Sequence, residues 1–270
     1  MTLVPIAALD APIGAFNVIT LEHAEAIVAG AEAARRPVVL QISENAIRFH
    51  AGRPGPLAAA CTVLARQSTV DVALHLDHVT EWPLLEEAPV HGFGSVMYDT
   101  TGLSYADNVA ATSRAAAFAH ARGLWLESEL GTVGGKPNAP HDPAARTDPA
   151  TAASYVDITG VDALAVAVGS THAMTTRTAS LDHALIAALH AVVPVPLVLH
   201  GSSGLPDGEL VRAVAGGIAK VNIGTALNVA YTTAVRAGTS VDPRGYLDSA
   251  REAMAQTVAH LLHVLSGSGA

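Results

Sequence analysis

Eight short runs of Val, Ile, Leu and Ala, separated by amphipathic or alanine-rich segments, limit what this chain can fold into more than any other feature. The runs are "IGAFNV" (13–18), "PVVLQIS" (37–43), "DVALHLD" (71–77), "GSVMYD" (94–99), "GLWLESEL" (123–130), "DALAVAVG" (162–169), "VPLVLHG" (195–201) and "IAKVNIG" (218–224). Helical segments fall at 20–34, 56–67, 80–90, 104–121, 149–158, 181–191, 206–216 and 225–237, with a last helix at 244–265. Thr20, Ser104 and Ser180 suit N-cap positions, and Pro149 and Pro206 suit first-turn positions. Strands this continuously apolar are expected to be covered on both faces, as in parallel α/β sheets. Eight units of about 30 residues predict an α/β fold closed into a parallel (β/α)8 barrel, with the last helix as a C-terminal addition. An open doubly wound sheet is the alternative, but it has no need of eight evenly spaced units.

At 270 residues the chain is within the range of one α/β barrel. No composition break or Ser/Gly linker divides it, so residues 1–270 read as a single domain. Hydrophobic residues make up 50% and charged residues 14%, which supports a large core and argues against disorder. The formal net charge is −9, and Lys136 and Lys220 are the only lysines. Nucleic acid or an anionic membrane calls for a basic patch, and the sequence has none. The single cysteine, Cys61, excludes an internal disulfide and fits a reducing compartment. "MTLVPIAALD" lacks a basic n-region, and no apolar run reaches membrane-spanning length. The expectation is a soluble cytoplasmic protein with neither nucleic-acid nor membrane partners.

In a barrel of this kind chemistry gathers at the C-terminal ends of the strands. Here those ends are polar: Asn17, Ser43, Asp77 with His78, Asp99, Glu127 with Glu129, His172, His200, and Asn222 with Thr225. Three are histidines on different strands, and three protein ligands with one open position describe a catalytic zinc site. The histidines on predicted helices (His23, His120, His183, His190, His260 and His263) read instead as ordinary core or surface groups. His75 shares a strand face with Asp77, either as a buried partner of the site or as a structural group. Asp77 and His78 are adjacent and in a regular strand point opposite ways, so both serve one site only if the backbone turns there. Asp77 beside a cation suits general acid/base work; helix capping is its plain alternative. "LHGSSGLP" (199–206) and "VNIGT" (221–225) are small-residue turns of the type that binds phosphate through backbone N–H groups, with Ser203 and Thr225 adding hydroxyls.

The motifs "GAFNV", "ALHLDH", "GFGSVMYD", "ESELGTVGG", "TDP", "TGVDALAVAVGSTH", "PLVLHGSSGLP" and "KVNIGT" follow one another from residue 14 to 225. With them the chain resembles the class II, metal-dependent fructose-bisphosphate and tagatose-bisphosphate aldolase family. The resemblance implies a (β/α)8 TIM barrel, a homodimer or homotetramer, and reversible aldol cleavage of a ketose phosphate to dihydroxyacetone phosphate and an aldehyde through a metal-stabilised enediolate. It implies zinc, or another divalent ion, held by His78, His172 and His200, with room for a monovalent cation. Asp99 and Glu129 match second-site metal ligands, and Asp77 matches the group that exchanges a proton with the hydroxyl at the reacting C–C bond. Ser43, Gly201, Ser202, Ser203, Asn222, Ile223, Gly224 and Thr225 match substrate contacts, to which Ala173 and Arg177 are added by position.

The chain departs from the family pattern at several points. The loop 131–149 reads "GGKPNAP", with Lys136 and Pro137 where an acidic base is expected and Asp142 the next carboxylate. A loop of that length is a functional lid or a disordered segment. Ala173 stands for a glycine, Thr176 and Arg177 for Tyr-Lys, and Ala226 and Asn228 for Asp and Arg. These changes motivate a second reading, a divergent member using the same metal and enediolate chemistry on another donor or in an isomerisation. A barrel kept only for binding is a third.

Overall fold

The computed structural model describes residues 3–131 and 145–267. Eight parallel strands close into a barrel in chain order: β1 (Ile13–Asn17), β2 (Val38–Ser43), β3 (Val72–Val79), β4 (Ser95–Tyr98), β5 (Trp125–Leu130), β6 (Ala163–Val166), β7 (Leu197–Leu199) and β8 (Ile218–Ile223). Closure comes from β1 pairing with β8, Ile13 opposite Lys220 and Ala15 opposite Asn222. The (β/α)8 barrel expected from the apolar runs is therefore the fold, and the open sheet is excluded. Strands six and seven are shorter than their apolar runs, because Ala167 to Gly169 and His200 to Gly201 already belong to loops.

Alternation along the strands explains why such apolar runs end in polar groups. Phe16, Leu40, Ile42, Leu74, Leu76, Leu126 and Leu164 face outward and are fully or almost fully buried beneath the helices. Inside, the barrel is layered. Ile13, Ala15, Val39 and Ala73 close its floor together with Ile6 and Leu9 from the N-terminal segment. Above them lie buried Gln41, His75, Ser95, Glu127 and Lys220, and above those the rim.

The outer helices are α1 (Leu21–Ala34), α2 (Glu44–Phe49), α3 (Pro54–Gln67), α4 (Trp82–Glu87), α5 (Tyr105–His120), α6 (Pro149–Thr159), α7 (His183–Val192), α8 (Asp207–Ala215), α9 (Thr225–Ala237) and α10 (Pro243–Leu265). Small residues let them pack closely: a Cβ on Gly30 of α1 would lie 2.5 Å from the Ala255 carbonyl oxygen of α10. Two start signals move. Asp182, not Ser180, caps α7 by accepting from Leu185 N at 3.0 Å, and Pro206 sits at the N-cap of α8 rather than inside its first turn. Thr20 precedes α1, but its hydroxyl bonds the Glu22 and His23 side chains instead of a backbone N–H. Helix α2 falls in the stretch between β2 and the predicted 56–67 helix, and sequence reasoning did not foresee it. Among the described residues, no helix is long and apolar enough to cross a membrane.

Candidate metal centre

Each of the three candidate histidines is delivered by a different backbone device. On β3, Asp77 keeps regular register opposite Ser43, whereas the pairing of β3 with β4 becomes irregular between Leu76 and Val79. His78 sits in that irregularity with φ of 50°, a left-handed conformation uncommon for a residue with a Cβ. The turn brings two successive side chains to one cavity. His172 lies in the loop after β6, and His200 directly follows β7. These two loops touch at Gly201, whose φ is 66° and whose added Cβ would fall 2.6 Å from the Thr171 carbonyl carbon. Only glycine permits that approach.

The three rings meet edge to face, with centroids 5.0 Å apart for His78 and His200, 5.7 Å for His78 and His172, and 5.8 Å for His172 and His200. One coordinating nitrogen from each lies within 4.8 Å of the others, close enough for the three to share a cation. Among the described residues, Asp77 Oδ1 and His75 Nε2 are buried without a hydrogen-bond partner. A buried carboxylate oxygen without a partner, beside three imidazole nitrogens, fits a divalent metal.

Carboxylates fix the rings. Asp99 Oδ2 accepts from His78 Nδ1 at 2.9 Å, and Asp99 Oδ1 is held by Thr101 N (3.2 Å) and Thr101 Oγ1 (2.7 Å). His200 Nε2 donates to Glu127 Oε1 at 3.0 Å, with the Asn222 amide 2.9 Å from the same nitrogen. His200 Nδ1 lies 3.3 Å from Glu129 Oε2. Asp99 and Glu129, expected from the resemblance as second-site ligands, thus stand here beside the imidazoles. Burial alone would push His200 down, but the Glu127 and Glu129 carboxylates win and raise it to about 9. Burial likewise opposes ionisation of Glu127, yet Lys220 and the neighbouring imidazoles hold its carboxyl well below the usual range. His75, fully buried and near the Lys220 ammonium, falls to about 3 and so stays neutral. Its Nδ1 bonds Ser95 Oγ at 2.8 Å, and its Nε2 is 4.0 Å from both Asp77 Oδ1 and Glu127 Oε2. His75 is therefore part of the site's buried floor.

A cavity of about 1120 Å³ opens above this centre at the C-terminal mouth of the barrel. It brings together Ser43, Asp77, Asp99, Ala173, Gly201, Ser202, Ser203, Asn222, Gly224 and Thr225. Ser203 Oγ accepts from Ala226 N (3.1 Å), and Ser202 Oγ donates to the Asn222 carbonyl (2.5 Å), so the two turns brace each other. Ser43 both borders the cavity and caps α2 through Ala46 N at 3.2 Å. Two expected contacts lie elsewhere. Ile223 is buried behind the turn, and Arg177 lines a separate, mostly apolar cavity of about 190 Å³. The Arg177 guanidinium bonds Asp207 (2.5 Å) and the Leu205 carbonyl (2.8 Å), an anchor that sequence position could not reveal. Lys136, Pro137 and Asp142 fall outside the described residues. Asn17, Gln41, Glu44 and Arg48 border the cavity without having been singled out as contacts. Strand parity carried the signal for Asn17 and Gln41, which alternate with the outward Phe16 and Leu40.

Three imidazoles converging from β3, the loop after β6 and the residue after β7 beside a buried carboxylate, at the C-terminal mouth of a barrel, fit the class of metal-binding (β/α)8 enzymes. Comparison narrows that class. Residues 6–270 match the family model described as fructose-bisphosphate aldolase class-II. The fructose-bisphosphate aldolase of Geobacillus stearothermophilus is 34% identical over 264 residues, covering 95% of this chain and 92% of that protein. That of Staphylococcus epidermidis is 35% identical over 253 residues, covering 91% and 88%. The crystal structure of the YdjI aldolase from Escherichia coli K12 superposes with a TM-score of 0.85 at 30% identity, covering 96% of this chain and 93% of that one. The chain belongs to the class II fructose-bisphosphate aldolase family, whose members are divalent-metal-dependent lyases.

Proposed function

We propose that this protein is a zinc-dependent aldolase that reversibly cleaves a ketose phosphate, like fructose or tagatose bisphosphate, into dihydroxyacetone phosphate and an aldehyde. The observation that carries this reading is the convergence of His78, His172 and His200 next to Asp77. His78, His172 and His200 would hold a divalent cation, which would supply Lewis-acid polarisation of the donor carbonyl. Asp77 accepts the proton of the hydroxyl that becomes the aldehyde, and returns it in the synthetic direction. Its Oδ2, 3.9 Å from His78 Nε2, stands beside the metal site at the cavity, where that transfer would take place. The Gly201–Ser203 turn and the Asn222–Thr225 turn at the start of α9 supply backbone and hydroxyl donors to the donor phosphate. Asp99 and Glu129 serve as further ligands for a displaced or second ion.

In this reading residues 1–270 act as one catalytic domain, cytoplasmic, in a homodimer or homotetramer that gel filtration with light scattering resolves. The test of function is a coupled retro-aldol assay over a panel of ketose phosphates, before and after chelation and again after zinc is restored. Cleavage that disappears with the metal and returns with it supports the proposal; a zinc-loaded protein inert on every ketose phosphate defeats it. Arg177, turned to Asp207 and out of the main cavity, favours a second reading in which the donor differs. Exchange of the donor α-proton with D2O, without cleavage, would select it.

A further inference from the structure

Beneath the three imidazoles runs a chain of buried side chains that the aldol reading does not use. Asn17 Oδ1 accepts from Gln41 Nε2 at 3.0 Å, and Gln41 Oε1 accepts from Lys220 Nζ at 3.2 Å. Lys220 Nζ also donates to Glu127 Oε2 at 2.7 Å, and Glu127 Oε1 accepts from His200 Nε2 at 3.0 Å. The chain leaves the rim at β1, crosses the barrel interior through β2, β8 and β5, and returns to the rim at β7. Gln41 and Glu127 are fully buried and Lys220 is 2% exposed.

Lys220 is one of the two lysines of the chain. It lies within β8 with its side chain in the barrel, and its ammonium is committed to Glu127 and Gln41. A buried lysine and glutamate stabilise a fold weakly at best, since desolvation offsets most of their attraction. What this pair does have is direction. Each Glu127 oxygen has a different partner, so Lys220 fixes the plane of the carboxylate and the carboxylate fixes the His200 ring.

We infer that Lys220 is a positioning residue: acting through Glu127, it holds His200 with the Nε2 proton pointing down into the barrel and Nδ1 presented to His78 and His172. A metal-binding imidazole whose other nitrogen donates to a carboxylate has its orientation and tautomer set by that partner, and losing the partner weakens binding about 10- to 100-fold. Gln41 steadies the lysine from the other side and ties the same strut to Asn17 on the cavity wall. The inference rests on the metal-site reading above.

The experiment compares the native chain with the double variant K220M/E127Q, in which both charges go together so that neither is left buried alone. Zinc affinity is measured by competition with a chromophoric chelator. In the metal-free proteins, the His200 Nε2 proton is followed by 15N–1H spectroscopy and solvent exchange. Tyr155→Phe, in a buried hydroxyl network on the outer face of β5, serves as a control that loses stability without touching the strut. The double variant is expected to remain folded, to bind zinc about 10- to 100-fold more weakly, and to lose the slowly exchanging ring proton. Tyr155→Phe is expected to bind zinc within about twofold of the native chain, and Gln41→Leu to fall between. Equal zinc affinity in native and double-variant protein, or an unchanged ring-proton signal, overturns the inference. Should the native chain hold no zinc, the functional reading fails by itself, and the ring-proton comparison still decides the strut.

Discussion

Asp77 and His78 are consecutive in the chain, yet Asp77 Oδ2 and His78 Nε2 stand 3.9 Å apart over one cavity, because His78 adopts φ of 50°. The proposed proton-transferring carboxylate and one of the imidazoles proposed to bind the metal are thereby coupled through a single strained peptide. Three outcomes follow from separating their roles. Asp77→Asn should lower aldol turnover by about 100-fold or more while leaving the zinc content unchanged, since it removes the base and keeps the shape. His78→Ala should lose both zinc and turnover. His78→Gly should lose them equally but be more stable than His78→Ala by about 1 kcal/mol, because glycine accepts the left-handed conformation without a Cβ. Metal analysis, steady-state kinetics and chemical denaturation separate the three.

The contact between Gly201 and Thr171 predicts a different kind of lesion. Gly201→Ala places a methyl group 2.6 Å from the Thr171 carbonyl carbon at a φ of 66°, and backbone on both sides must give. The displaced loops carry His200 on one side and His172 on the other. A shift of about 1 Å in a catalytic constellation costs about 100-fold in rate. The expected variant is folded, less stable, and about 100-fold slower on the ketose phosphate, with a raised KM because the adjoining serine turn moves too. Wild-type kinetics for Gly201→Ala would show that the two loops are not mechanically linked.

Much of this was legible in the residues, for a physical reason. A parallel barrel buries both faces of each strand, so its strands are written as apolar runs, and the rim residues stand out against them. Asp77, His78, His172 and His200 could be picked because polar groups at the ends of such runs are costly unless used. Other features depended on three-dimensional context. Nothing local in "HLDHV" specifies that His78 turns over, since the irregular pairing with β4 decides it. Arg177 has a rigid fork that bonds whichever carboxylate the fold brings near, and α8 brings Asp207. Lys220 sits in "IAKVNI", where its parity with Asn222 marks it as inward, but a lone lysine in a strand reads as an edge until its partner Glu127 is known. Helix α2, only six residues long, is too short to show a 3.6-residue period.

The hydroxyl network around Tyr155 governs stability at high pH. Tyr155 OH bonds Asn108 Oδ1 (2.7 Å), Ser128 Oγ (2.9 Å) and Thr112 Oγ1 (3.0 Å) inside the packing of α5, α6 and β5. Burial raises its phenol above the ordinary value, and the hydrogen bonds from Ser128 and Thr112 only partly oppose that. The folded pKa exceeds the unfolded one, so the contribution to stability is complete below about pH 10 and is lost as pH rises through the folded value. Thermal melts of the native chain should therefore decline above about pH 10. Tyr155→Phe should cost about 1–3 kcal/mol at neutral pH, by leaving Asn108 and Thr112 short of a partner, and should show a shallower alkaline decline. Parallel alkaline slopes in the two proteins would count against this account.

Metal removal offers a measure of the site that does not depend on knowing the substrate. A cation that binds the folded chain and not the unfolded one stabilises it by RT ln(1 + [L]/Kd), about 2.7 kcal/mol when free metal is 100 times Kd. For a chain of this size that corresponds to a rise in Tm of roughly 5 °C or more. Because the three imidazoles come from β3, the β6–α7 loop and the residue after β7, the cation would cross-link three separate segments of the barrel rim. Chelation should accordingly lower the Tm of the native chain, and zinc should restore it. His172→Ala removes one imidazole of the three without disturbing a strand, since His172 lies in the loop. Its Tm should match that of the chelated native chain and respond little to zinc. A native Tm indifferent to chelator, together with a His172→Ala variant that melts like the untreated protein, would mean that the imidazoles do not share an ion.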